Sequence, residues 1–462
     1  MTSPTLGLLP LYIALYDEVV PERRPHIEAF YERIAQELEK RGLKVLRTKP
    51  CRLEPEFSAA VKQFETEGAE ALVTLHLAYS PSLESAAVLA ATKLPILVMD
   101  TTEALSFGPD QDPDEIMYNH GIHGVQDLCN LLLRHGKRFH LEAGHWEQSP
   151  VLDRIAQWAR ATHLAARFRN SRVGILGEAF RGMGDFAVPA EKLAKTFGIQ
   201  VIDWDAELVT SLVPSEDDPA VQQEVAEDLA ECEAVDLDPA AHLRVVRAGM
   251  AVRRWVEHEK LTAFTVNFLA VDKASGLPTM PFMEAGKAMQ RGIGYAGEGD
   301  TLTAALVGAL LDTYPETTFC EMFCPDWSGG TIFLSHMGEV NPSLLAGKPE
   351  LTTKPFNWTD VENPAVAVGC LKGGEAAIVN LAPLAEGYRL IVAPGQMAAV
   401  EKDAFAGNIR GWFRPQGSVA DFLAAYSRAG GTHHSALVYG ACPKDLCRFG
   451  EVLGFDVLCL GE

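Results

Sequence analysis

The first hundred residues alternate short apolar runs with amphipathic stretches, and this alternation limits the possible folds more than any other feature. "LGLLPLYIAL", "ALVTLHL" and "LPILVMD" are close to continuously apolar, as strands buried on both faces must be. Between them, "RRPHIEAFYERIAQELEKRG" and "EFSAAVKQFETEG" carry apolar residues at helical spacing, and Gly42 stops the first. Doubly buried strands separated by helices predict a mostly parallel sheet covered on both sides.

A second series starts at "RVGILGEAF", after the helical stretch "DRIAQWARATHLAARF", which sets a boundary near residue 170. "VPSEDDPAVQQEVAEDLAECEAVDLDP" is the most acidic stretch and reads as a solvated helix with a linker. From residue 318 the pattern becomes short β runs rich in Gly and Pro, such as "GTIFLSHMG", "AAIVNLAPL" and "YRLIVAPG". The expected class is α/β: two doubly wound Rossmann-like α/β domains, residues 1–170 and 171–317, then a mainly antiparallel β C-terminal domain, residues 318–462. A chain of 462 residues has ample length for such a division.

Charge narrows the partners. With 40 basic and 62 acidic residues the formal net charge is −22, which argues against a nucleic-acid or anionic-membrane surface. No run approaches the 18 or so apolar residues of a membrane span. The N-terminal segment lacks the basic flank of a secretion signal and reads as a first strand. Nine scattered cysteines include no CxxC pair, which fits buried free thiols in a reducing cytoplasm better than zinc or disulfides.

Four stretches bear chemistry. "GYAGEGD" (294–300) sets Glu298 between glycines, so its backbone can approach another segment closely, and places Asp300 as an N-cap for "TLTAALVGALL". "TFCEMFCPDW" holds Glu321 among Phe319, Cys320, Met322 and Phe323, where a carboxylate must be paired or liganding. "FLSHMGEV" places His336 in an apolar run, and "GGTHH" adds His433 and His434. Strand alternation would send these two neighbours to opposite faces. Two glutamates and two histidines can form a divalent-metal set, with Mn²⁺ or Co²⁺ favoured by the imidazoles and Mg²⁺ by the carboxylates. "GILGEAFRGMGD" is glycine-rich but is not the dinucleotide-binding GxGxxG, and "NHGIHGVQD" clusters His120 and His123 near a helix start.

"GYAGEGD", "SHMGEV" and "AGGTHHS", in that order with Glu321 between the first two, resemble the L-arabinose isomerase family, which shares its fold with L-fucose isomerase. "HLAYSP", "GHW" and "TAFTVNF" extend the resemblance upstream. It implies metal ligands at Glu298, Glu321, His336 and His434, with the two glutamates also the acid–base pair. It further implies sugar contacts from His123, reaching in from a neighbouring subunit, and from Phe268 and Phe180, the last standing where the family has methionine. His433 would then face away. A homotrimer or homohexamer, a Mn²⁺ ion and an aldose–ketose reaction such as L-arabinose to L-ribulose follow as expectations. Two segments depart from the family pattern: "LPLYIALYD" replaces an N-terminal substrate-contacting segment, and "GEAFRGMGDFAVP" stands for "GDNMREVAVT". These departures concern sugar recognition more than the metal set. The competing reading is a sugar-binding or regulatory protein that keeps the fold without turnover; a metal hydrolase is disfavoured by the lack of HExxH.

Overall fold

The computed structural model describes residues 3–461. The chain separates into two compact units, Met1–Ala166 and Arg167–Glu462. In the first, β1 (Thr5–Leu11), β2 (Lys44–Arg47), β3 (Ala71–His76), β4 (Ile96–Asp100) and β5 (Phe139–Ala143) form a sheet in the order β2-β1-β3-β4-β5. Every pairing is parallel, and every residue of β3 is buried. Leu9, Phe57, Phe64, Leu72, Val98 and Leu128 belong to its core, drawn from strands and helices alike. The apolar runs are therefore strands covered on both faces, as expected. The strand order reverses between β1 and β3, and at such a point the carboxyl ends of parallel strands diverge into a crevice. Tyr12 and His76 stand at that end.

The second unit opens with β6 (Arg172–Leu176), β7 (Gln200–Asp203), the two-residue β8 (Glu233–Ala234), β9 (Ala263–Val266) and β10 (Gly294–Gly297). β10-β9-β6-β7 is a second all-parallel sheet. Then come β11 (Thr317–Asp326), β12 (Thr331–Ser335), β13 (Glu350–Thr353) and β14 (Ala365–Val368), followed by β15 (Gly374–Pro383), β16 (Tyr388–Met397), β17 (Gly411–Pro415), β18 (His434–Tyr439) and β19 (Asp456–Cys459). β15-β18-β11-β12-β17-β16 run antiparallel, and β15 also pairs with β16 from Gly374↔Met397 to Pro383↔Tyr388. That last pairing closes the sheet into a barrel, with β19 added parallel to β16. The antiparallel character was expected; the closure was not.

The helix Thr301–Thr313 explains how sheet and barrel meet within this unit. It packs on β6, β9 and β10 on one side and on β11, β15 and β18 on the other. A helix packed on both sides must be largely apolar on both, and "TLTAALVGALL" is, with Asp312 and Thr313 left partly open at its end. Its N-terminus consequently points the 298–300 turn towards the barrel end where β18 begins.

The acidic stretch differs from expectation. The helix Pro219–Glu231 turns Glu224 and Asp228 inward, where Glu224 pairs with Arg253 at 2.7 Å and Asp228 with Lys287 at 2.5 Å. Cys51 and Cys320 are buried thiols, as anticipated, but Cys324 and Cys442 are exposed. Among the described residues, no helix is long and apolar enough to cross a membrane.

Candidate metal centre

Register places the first two groups. In the β11–β18 ladder Glu321 is directly opposite His434, so the two side chains rise from the same face of the barrel wall. On its other side Glu321 pairs with Ser335, the last residue of β12, and His336 follows immediately. Nε2 of His434 and Nε2 of His336 each lie 3.1 Å from Glu321 Oε1.

Glu298 arrives from the parallel sheet. It is one of few non-glycine residues with positive φ (+62°), a conformation that costs about 1–3 kcal/mol and persists only where its surroundings impose it. They do. Its carbonyl accepts from Phe180 N at 2.8 Å and its N–H donates to Val266 O at 2.9 Å. The next residue, Gly299, has φ +83°, and a Cβ there would sit 2.5 Å from Glu178 O. Gly299 thus allows the turn to lie against the loop after β6. Glu298 Oε2 comes within 3.5 Å of His434 Nε2.

Both imidazoles are held from behind by buried carboxylates. His434 Nδ1 lies 3.0 Å from Asp300 Oδ2, while Asp300 Oδ1 accepts from Thr303 N as the helix cap. His336 Nδ1 lies 2.6 Å from Glu339 Oε2, and Glu339 Oε1 accepts from Tyr295 Oη at 2.9 Å. With Nδ1–H donated to a carboxylate, each ring turns Nε2 towards the Glu298–Glu321 pair, the usual arrangement behind a histidine metal ligand. Rings fix the same orientation: Phe186 stacks on His434 at 4.6 Å, and Phe319 sits edge-on to both His434 and His336 at 5.0 Å.

The electrostatics favour a cation. Burial alone would raise the pKa of Glu298, but His433 and His434 hold it down at about 2. Glu321 is likewise pulled well below the usual range by His336 and His434 despite its burial. Burial would lower His336, yet Glu339 and Glu321 push it up to about 10, and Asp300 with both glutamates drives His434 well above its ordinary value.

A divalent ion fits this donor set. Glu298 Oε2 and His434 Nε2 are buried and make no properly directed hydrogen bond among the described residues, although they face one another. One ligand atom from each of Glu298, Glu321, His433 and His434 lies within 4.8 Å of all the others. Ligand atoms about 2.1 Å from one ion are separated by no more than about 4.2 Å when opposite, so small side-chain adjustments suffice. Any such ion must displace imidazole protons.

The structure thus brings Glu298, Glu321 and His434 together with His433, while His336 touches Glu321 but stands outside that 4.8 Å group. Phe180 and Phe268 stack on each other at 5.4 Å, with Phe180 joined to the Glu298 backbone and Trp358 edge-on to Phe268 at 5.9 Å. His123 belongs to the first unit, exposed on the helix Ile122–Arg134 and 6.0 Å from His120. His433 does not face away. β18 starts at His434, so alternation does not govern its neighbour, and the two rings lie 4.2 Å apart. Sequence reasoning also missed the second oxygen of Asp300, and Glu339, although it stands three residues after His336 in the quoted motif.

The segments that carry these groups resemble domains of known proteins. Residues 194–312 match the L-arabinose isomerase central domain and residues 316–456 the L-arabinose isomerase C-terminal domain. L-Arabinose isomerase of Shouchella clausii is 26% identical over 473 residues, covering 99% of this chain and 94% of that protein. The enzyme of Herpetosiphon aurantiacus is 28% identical over 362 residues, covering 75% and 71%, and that of Anoxybacillus flavithermus 24% over 381, covering 76% and 72%. With a carboxylate–histidine centre built on matching elements, the chain belongs to the L-arabinose isomerase family.

Proposed function

We propose that this protein is a metal-dependent aldose–ketose isomerase acting through an enediolate, on L-arabinose to give L-ribulose or on a related sugar. One observation carries the reading: two imidazoles, each anchored at Nδ1 by a buried carboxylate, aim Nε2 at a pair of glutamates. Glu298, Glu321, His336 and His434 are the ligands we assign, and the mixed nitrogen and oxygen donors favour Mn²⁺, with Co²⁺ or Mg²⁺ as substitutes. When bound, such an ion supplies Lewis-acid stabilisation of the charge that develops on the sugar oxygens.

The chain's own groups supply the rest. Moving a proton between C1 and C2 requires a base at carbon and a second group to shift the hydroxyl proton. Glu298 and Glu321 are the carboxylates available in the centre, and we assign them both tasks as a pair. Their low pKa values come from the protonated imidazoles and rise again when those rings are neutral. A positioned acid–base pair contributes about 10²–10⁴-fold. The stacked Phe180 and Phe268 offer an apolar wall beside Glu298 for the carbon face of the sugar.

We retain three functional segments, 1–170, 171–317 and 318–462. The boundary between compact units after Ala166 supports the first division, and the limits of the matched domains, 312 and 316, support the second. We further infer a cytoplasmic homotrimer or homohexamer, in which His123 of one copy contacts sugar held by the next, with no nucleic-acid or membrane partner. The full chain, loaded with Mn²⁺, should convert one member of an aldose panel to ketose and stop on addition of EDTA. A metal-loaded oligomer that turned over no aldose would overturn the enzymatic reading in favour of a sugar-binding protein.

A further inference from the structure

We propose that Asp185 is a positioning residue that makes His433 an additional donor to the divalent ion. This rests on the metal reading above and concerns a loop where the chain departs from its family's sequence pattern. His433 precedes β18, so the barrel ladder does not orient it. Asp185 does: its Oδ2 accepts both the backbone N–H of His433 at 2.9 Å and Nδ1 at 2.7 Å. Two donors on one carboxylate oxygen fix the ring plane and the tautomer together. With the proton on Nδ1, the lone pair of Nε2 is free, and Nε2 lies 3.7 Å from Glu298 Oε2. His433 is accordingly one of the four residues whose ligand atoms lie within 4.8 Å of one another.

The loop bearing Asp185 is built for this hold. Gly182 in this loop has φ +106°, which no residue with a side chain adopts readily. Phe186, the next residue after Asp185, is buried and stacks on His434 while lying 5.5 Å from His433. Adjacent residues of one loop therefore grip adjacent histidines, one through a carboxylate and the other through a ring.

The test uses the full chain and Mn²⁺ alone, with free Mn²⁺ followed by electron paramagnetic resonance. Asp185→Asn keeps an acceptor for the backbone N–H but can no longer hold Nδ1–H through a charged oxygen. It should keep the wild-type melting temperature to within a few degrees and lose about tenfold in Mn²⁺ affinity, the low end for removing such a support. His433→Gln should lose at least as much, and Asp185→Asn should add nothing to it in the double variant. In the Co²⁺-loaded protein both single variants should show the same change in the visible ligand-field bands, which a purely structural role would leave alone. Independent, additive losses, or unchanged affinity in Asp185→Asn beside tight wild-type binding, would overturn the proposal and leave the metal centre standing. Failure of the wild type to bind Mn²⁺ would overturn both.

Discussion

Two buried histidines mark the ends of strands in the two units, and they are driven in opposite directions. His76 closes β3 and His434 opens β18; both are shielded from water. Neither ring nitrogen of His76 has a hydrogen-bond partner among the described residues, and burial pushes its pKa down to about 3. His434 suffers the same burial but has Asp300, Glu298 and Glu321 around it, and they reverse the outcome. Burial penalises the imidazolium in both places; the carboxylates decide the sign. Among the described residues of the first unit, the buried hydroxyls of Tyr12, Thr74, Ser80 and Thr101 and Nδ1 of His120 also lack partners, and burial lowers the pKa of His120 as well. Around His434 the buried carboxylates stabilise positive charge, whereas at His76 burial prevails.

Substitution of the glutamates should expose the contrast most strongly. Glu298→Gln and Glu321→Gln keep shape and remove charge, and each should lower kcat for ketose formation by about 10²–10⁴-fold. Near-normal turnover in both would remove them from the chemistry.

The next effect concerns the supporting carboxylate. Asp300→Asn should weaken Mn²⁺ binding by about 10–100-fold, because His434 loses the charged partner that fixes its tautomer. Calorimetric titration would read this directly, and an unchanged affinity would show that the partner is dispensable. In the same experiment the wild type should release protons as Mn²⁺ enters, since His336 and His434 hold theirs above neutrality. Affinity should therefore climb with pH from 6 to 8. A pH-independent affinity would contradict it.

A smaller effect tests the first unit. The folded pKa of His76 lies below the unfolded value of about 6.5, so the unfolded chain binds the proton more readily. Its contribution to stability is complete above pH 6.5 and is lost as pH falls from about 6.5 towards about 3, by up to about 1.4 kcal/mol per pH unit. His76→Leu removes this slope. Urea unfolding at pH 7 and pH 5 should show a smaller difference for the variant than for the wild type; equal differences would acquit His76.

Much of this organisation was legible in the chain. Continuous apolar runs can be covered only from both sides, so both parallel sheets were readable from "ALVTLHL" and its counterparts. The ligand motifs were readable because carboxylates and imidazoles seldom sit in apolar or glycine-bounded runs without reason. What escaped depended on distance. Barrel closure depends on β15 finding β16 as well as β18, which local patterning does not encode. Asp300 has a visible capping role within three residues, whereas its bond to His434 spans 134 positions. Asp185 reaches His433 across 248. The direction of His433 was misread for a local reason, since alternation applies only inside a strand and the strand begins one residue later.

The pairing of Glu321 with His434 has a consequence for how the barrel is proofread. A slip of one residue between β11 and β18 would turn one of these side chains to the opposite face and break the donor set. An ion that needs both can therefore bind only the correctly registered barrel, and its binding free energy is withheld from every misaligned alternative. A divalent ion at this candidate site would thereby favour the aligned pairing of β11 with β18 over its slipped alternatives.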